Sequence, residues 1–157
     1  MRLSSTLVLI LVPLALACGT RRIPGTEIKD TRDTRAIVEL ITQYRTAAER
    51  RDAGAVMALV SKQYFDDAGT PDPGDDVDYG QLRKRISDDF AKLTAMRLEI
   101  GVRGIDVDDD HAAAYVYYDE HYRIATRGGG EVPKQASDVH RMRFVREEGA
   151  WKFVSGL

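Results

Sequence analysis

The chain has 157 residues, 43% apolar and 31% charged, the make-up of one globular domain rather than a disordered or fibrous protein. Lys and Arg total 23 against 25 Asp and Glu, a net charge of −2, so no nucleic-acid partner is expected: the balance lacks the surplus that neutralises phosphates. One Cys excludes an internal disulfide and a Cys-based zinc site, and neither a metal nor another cofactor is expected.

Arg2 opens the chain with a positive charge, and Leu3 to Ala17 follow without one. At ~1.5 Å per residue that run makes about 22 Å of helix, short of the ~30 Å of a bilayer core. It reads as the apolar region of a secretory signal rather than a permanent span. The run ends Leu14-Ala15-Leu16-Ala17-Cys18-Gly19, with small residues just before the sole Cys. This resembles the lipobox of bacterial lipoproteins. The resemblance implies cleavage before Cys18, a lipid on Cys18 and attachment to a membrane through it. Gly19, in place of an Asp, implies the outer membrane on its periplasmic side if the envelope is Gram-negative. A signal cut near Ala17 with an incidental Cys, or an uncleaved anchor, remains open on the same residues. The expected organisation is a signal peptide over 1–17, a lipid-anchored flexible tether over 18–31 and one folded domain over 32–157. The tether is expected to be flexible because 19–31 is polar and holds Pro24 and Gly25.

Ile37, Leu40, Ile41, Tyr44 and Ala48 recur at spacings of three and four, which predicts a one-faced helix over 32–51. Asp52 is placed to cap a short second helix with Val56, Leu59 and Val60. An acidic loop, 69–78, leads to Asp78, the predicted cap of a third helix with Tyr79, Leu82, Ile86, Phe90 and Leu93 in register. After Thr94 the period becomes two. Met96, Leu98, Ile100 and Val102 alternate with polar residues, and a bulge is expected where the phase slips at Gly104-Ile105. A turn over 106–110, a strand over 111–126, a flexible connection over 127–135, a strand over 137–146, a turn over 147–149 and a last strand bearing Trp151, Phe153 and Ser155 complete the chain.

Three helices followed by a meander of strands predict an α+β fold. From about Thr34 to Leu157 the order of elements resembles the nuclear-transport-factor-2-like superfamily, also called SnoaL-like or ketosteroid-isomerase-like. The echoes are Ile41-Thr42-Gln43-Tyr44, eight residues before Asp52, then Asp52-Ala53-Gly54-Ala55-Val56, Arg143-Phe144-Val145 and Gly149-Ala150-Trp151-Lys152-Phe153. The resemblance implies three N-terminal helices packed in the concave face of a curved, mostly antiparallel sheet, a cone enclosing an apolar pocket. Its members include enzymes, binding modules and subunits of assemblies, so fold alone does not decide function.

Carried over residue by residue, the resemblance puts Tyr44 at the isomerases' pocket tyrosine, where a hydroxyl can donate to an oxyanion. An aromatic on the apolar helix face is equally a core residue. The isomerases' general-base position falls on Ala68, which cannot serve, and Asp66 replaces it only in a shifted pocket. Asp66 and Asp67 also read as a solvated turn. His140 falls near the isomerases' oxyanion-holding carboxyl, with Asp138 two residues earlier on the same strand face. Catalytic candidates are therefore Tyr44, Asp66 and His140, and ligand-binding candidates Tyr44, Asp138, His140, Met142 and Trp151. In the long strand, Ala112, Ala114, Val116, Tyr118, Glu120 and Tyr122 share one face and Ala113, Tyr115, Tyr117, Asp119 and His121 the other. Both are partly apolar, which leaves the inward face open and favours a covered outer face in a homodimer.

The triple glycine 128–130 lacks the Lys and Ser/Thr of a phosphate loop. The acidic run 106–110 lacks the closing Glu of a calcium loop. The expected function is a lipid-anchored cell-envelope protein that binds a small apolar or amphipathic ligand, or a protein partner. Its alternatives are an acid–base enzyme acting in the cone and an accessory subunit of an envelope assembly.

Overall fold

The computed structural model describes residues 21–157; the signal-like run and Cys18 lie outside the described residues. Helix α1 (Arg32–Glu49) begins at Thr31, whose hydroxyl accepts from the Thr34 N–H while the Thr34 hydroxyl accepts from the Thr31 N–H. Helix α2 (Ala53–Ala58) is capped by Asp52, as expected, with the Ala55 N–H donating to its carboxylate at 2.9 Å. Helix α3 (Tyr79–Phe90) starts from a capping box between Asp78 and Gln81. Leu93, expected in the α3 register, opens strand β3 instead.

Two short strands were not foreseen. β1 (Phe65–Asp66) pairs with β2 (Val77–Asp78) and closes the acidic loop at its neck. The main sheet is an antiparallel meander, β3 (Leu93–Asp108), β4 (His111–Ala125), β5 (Glu131–Glu147) and β6 (Ala150–Ser155), in sequential order. The register between β3 and β4 shifts between Val102 and Gly104, where the sequence phase slips. The β3–β4 turn is shorter than expected, since β3 runs through Asp108. β5 starts at Glu131, so much of the predicted connection 127–135 is strand. Pro133 disguises it. The proline is tolerated because β6 pairs only with 143–147, leaving β5 with an open edge around residue 133.

The proposed tether differs most. Residues 21–30 fold back as a small hairpin: the Ile23 N–H donates to Ile28 O at 2.9 Å and the Asp30 N–H to Arg21 O at 2.7 Å. Ile28 is 3% exposed, and Thr34 donates its hydroxyl to Lys29 O at 2.6 Å. One buried isoleucine and an α1 cap shared with the preceding segment outweigh the local preference of Pro24 and Gly25 for a loop.

Helix α1 lies against the sheet, chiefly over β3. The core joins Ile37, Leu40 and Ile41 of α1 to Ala114 and Val116 of β4, Met142 and Phe144 of β5 and Phe153 of β6. The Phe144 and Phe153 rings meet with centroids 4.9 Å apart in a tilted arrangement. Beside β6, the Ser61 N–H donates to Phe153 O and the Phe153 N–H to Leu59 O, so the end of α2 protects that edge. The buried β4 alternation is Ala112, Ala114 and Val116, continuing into half-buried Tyr118, Glu120 and Tyr122, which makes this the inward face. Among the described residues no helix is long and apolar enough to cross a membrane.

Candidate functional site

The helices do not fill the cone along its whole length. Beyond Val116 the sheet continues without a tightly packed layer above it, and a cavity of about 560 Å³ opens there. Tyr44 projects into it from α1, Leu98 and Ile100 from β3, Tyr118 and Glu120 from β4, and His140 and Met142 from β5. Asp66 to Gly69, Asp75 and Val77 form one wall, and Ser155 to Leu157 another. A second cavity, about 440 Å³, adjoins it between α3 and the sheet and shares Tyr44, Arg85, Glu120 and Leu157. Its walls are mainly apolar: Leu82, Ile86 and Phe90 of α3, then Leu93, Met96 and Ile124. Both volumes are those of small-molecule sites, typically ~300–1,000 Å³.

Glu120 is the residue that sequence reasoning missed. Its signal was present, as a lone carboxylate in the alternation Ala112, Ala114, Val116. The opposite face was also partly apolar, so period alone could not choose between them. Burial pushes the Glu120 carboxyl above its ordinary value of 4.5, and the positive charge of His140 opposes that shift. The Tyr44 hydroxyl is pushed up to about 12, by burial first and then by the charge of Glu120. His140 lies against Tyr118 with ring centroids 5.0 Å apart. Within the described residues the side chains of Tyr44, Glu120 and His140 make no hydrogen bond, although all three line the cavity. The core end of the cone is different: there the Trp151 indole and the Arg146 guanidinium are paired.

Asp66 lines the same cavity but is already engaged. Its carboxylate accepts from the Gly156 N–H at 2.7 Å, the Ala68 N–H at 3.0 Å and the Tyr64 hydroxyl at 3.2 Å. Three donors make it a clamp joining β1 to the last residues. Gly156 is essential to that clamp: it has φ +89°, and a Cβ there would stand 2.4 Å from Arg141 O. Asp138, expected beside His140, is exposed and lines neither cavity, because no helix covers that half of β5; its carboxylate accepts from the Val139 N–H at 2.7 Å. Trp151 also lines neither cavity. It is 6% exposed at the far end of the cone. There its indole N–H donates to Asp33 at 3.3 Å, and the Arg146 guanidinium stacks 4.5 Å from its ring. The expected set thus divides: Tyr44, Asp66, His140 and Met142 meet at the cavity, while Asp138 and Trp151 do not. Cys18 lies outside the described residues.

The outer face of the sheet carries exposed Tyr115, Tyr117 and Val139, with Arg141 over the Tyr115 ring and Arg103 over Tyr117.

The sequence model of the SnoaL-like domain matches residues 37–156. The chain belongs to the SnoaL-like domain family. Solved structures repeat this SnoaL-like architecture at low identity. A candidate scytalone dehydratase from Novosphingobium aromaticivorans is 14% identical with a TM-score of 0.67, over 79% of this chain and 80% of that one. A conserved protein from Planctomyces limnophilus is 13% identical with a TM-score of 0.66, over 79% and 92%. A candidate dehydratase of the nuclear-transport-factor-2-like family from Streptomyces avermitilis is 17% identical with a TM-score of 0.59, over 79% and 93%. No curated protein matches the sequence. At these identities the structures establish the shared fold, and the chemistry of the SnoaL-like cavity must be argued from its own residues.

Proposed function

We propose that this SnoaL-like domain is a lipid-anchored envelope protein that binds a small amphipathic ligand in its two adjoining cavities. The observation that carries the reading is the cavity about 560 Å³ in volume, in which the side chains of Tyr44, Glu120 and His140 make no hydrogen bond to the described residues. Half-buried polar side chains left free in a concave site are placed for a ligand's polar end. The ligand's apolar part lies along Ile86, Phe90, Leu93 and Met96 in the second cavity. The anchor is Cys18, on the resemblance of Leu14-Ala15-Leu16-Ala17-Cys18 to a lipobox, and the site of action is the cell envelope.

Glu120 favours a second reading, acid–base turnover of the bound ligand. A carboxyl raised by burial beside an imidazole fits a proton carrier. A protein partner, including a second copy, would use the other side of the sheet at Tyr115, Tyr117 and Val139.

Native against denatured mass of the purified protein tests the binding reading. A retained small molecule whose occupancy falls in Tyr44→Phe and Glu120→Gln supports it. Occupancy unchanged in both variants, or no retained molecule together with no displacement of an apolar dye by small amphiphiles, would rule it out. Conversion of the released molecule by fresh protein, lost in Glu120→Gln, would establish turnover.

A further inference from the structure

We propose that the N-terminal hairpin holds the closed end of the cone against the lipid surface and turns the ligand cleft away from it; this rests on the anchor at Cys18 proposed above.

The distance from anchor to body carries the argument. A flexible tether over 18–31 would let the domain take any orientation. Arg21, however, is already part of the fold, with its carbonyl accepting from the Asp30 N–H at 2.7 Å. The Asp30 carboxylate is itself tied to Arg35 and lies 3.9 Å from the Arg21 guanidinium. Only Gly19 and Thr20 separate that fixed point from Cys18. At ~3.3–3.6 Å per residue, Cys18 to Arg21 spans at most about 11 Å.

The direction of α1 then decides which end of the domain lies close. Its first turn is held at the closed end, where Asp33 meets Arg146 at 2.9 Å and the Trp151 indole at 3.3 Å. The main-chain N–H of Arg146 also donates to Asp110 O in the β3–β4 turn. The far end of α1 is beside the start of β3: Glu49 accepts from the Leu98 N–H at 3.1 Å, and Arg51 donates to Leu93 O at 2.7 Å. An 18-residue helix separates these ends by about 27 Å. The only α1 residue lining either cavity is Tyr44, in its second half, and the apolar cavity reaches Leu93 and Phe90. Anchor and cleft therefore occupy opposite ends. Ligand would enter from the aqueous side rather than directly from the bilayer beneath the protein.

Trp151 is the sole tryptophan and marks the closed end. The test uses the full-length protein in phosphatidylethanolamine–phosphatidylglycerol vesicles containing nitroxide-headgroup lipid. Trp151 emission should be strongly quenched. A Gly–Ser insertion of about 20 residues between Thr20 and Arg21 adds ~25 Å of r.m.s. reach and should remove roughly half of the quenching or more, with the domain untouched. Moving the probe to the cleft end, with Phe90→Trp in a Trp151→Phe background whose fold is checked by circular dichroism, should leave it largely unquenched. Unquenched Trp151, an insertion without effect, or equal quenching of both probes would overturn the orientation. The mass of the Cys18 peptide separates the two failures: no lipid there overturns the anchor and this inference together, whereas a lipid there with unquenched Trp151 overturns the orientation alone.

Discussion

The two ends of the cone obey opposite rules. At the closed end the charged side chains are ion-paired: Asp33 binds both Arg146 and Trp151, Arg146 stands 3.1 Å from Asp110, and Phe144, Phe153 and Ile37 fill the space between. At the open end Tyr44, Glu120 and His140 share an unfilled cavity and bond to nothing in the described chain. Desolvating a carboxyl without a partner costs stability, and a fold whose only requirement was stability would have placed an apolar residue at 120. The contrast separates what holds this domain together from what it is shaped to do.

The largest expected effect lies at the closed end. Phe144→Ala should cost about 4 kcal/mol, seen as a drop in the urea midpoint at unchanged slope. Gly156→Ala comes next, at about 2–3 kcal/mol, because the added Cβ meets the Arg141 carbonyl in a left-handed backbone. A midpoint shift below about 0.5 kcal/mol would show that the Asp66 clamp gives way cheaply. Glu120→Gln should act in the opposite sense. Its carboxyl is raised in the folded state, so the folded chain holds the proton more tightly and stability falls as pH rises from 4.5 through the folded value. The variant should therefore be more stable than the parent at neutral pH, with the gain vanishing below pH 4.5, while ligand occupancy drops. An equally destabilising effect at every pH would make Glu120 a structural residue and erase the contrast between the ends.

Asp33→Asn carries the smallest effect and the opposite pH signature. Arg146 first, and then the Trp151 indole, hold the Asp33 carboxyl below its ordinary 3.8. Its contribution is complete above that value and is lost as pH falls through the lowered one. The variant should be slightly less stable than the parent at neutral pH, and the two unfolding curves should converge in acid. Parallel curves down to pH 2 would show that the charge of the Asp33 carboxylate adds nothing to stability.

Much of the fold was legible along the chain. The three-and-four spacing of Ile37, Leu40, Ile41 and Tyr44 marked α1, and Asp52 and Asp78 marked helix starts by a local chemistry that needs no tertiary context. The phase slip at Gly104 located the register shift. Pro133 misled, because a proline reads as loop unless the absence of a neighbouring strand is known. The hairpin 21–30 misled for a related reason: its order comes from burying Ile28 and from α1 borrowing Lys29 O for its cap, contacts that composition does not report. At the site, Tyr44, His140 and Met142 were found because resemblance supplied their places. Glu120 was missed because both faces of β4 carry apolar residues, and Asp138 and Trp151 were misplaced because sharing a strand face does not say what covers it.

By itself the sequence determined the element types, the helix caps, the α+β class and the lipobox-like run, all of which rest on interactions within a few residues. Tertiary structure alone decided which face of β4 turns inward, and with it that Glu120 joins Tyr44 and His140, because inwardness depends on which layer packs above a strand. It also decided that Asp66 is held by Gly156 and that the N-terminal hairpin docks at the end opposite the cleft, since these contacts join residues far apart in the chain.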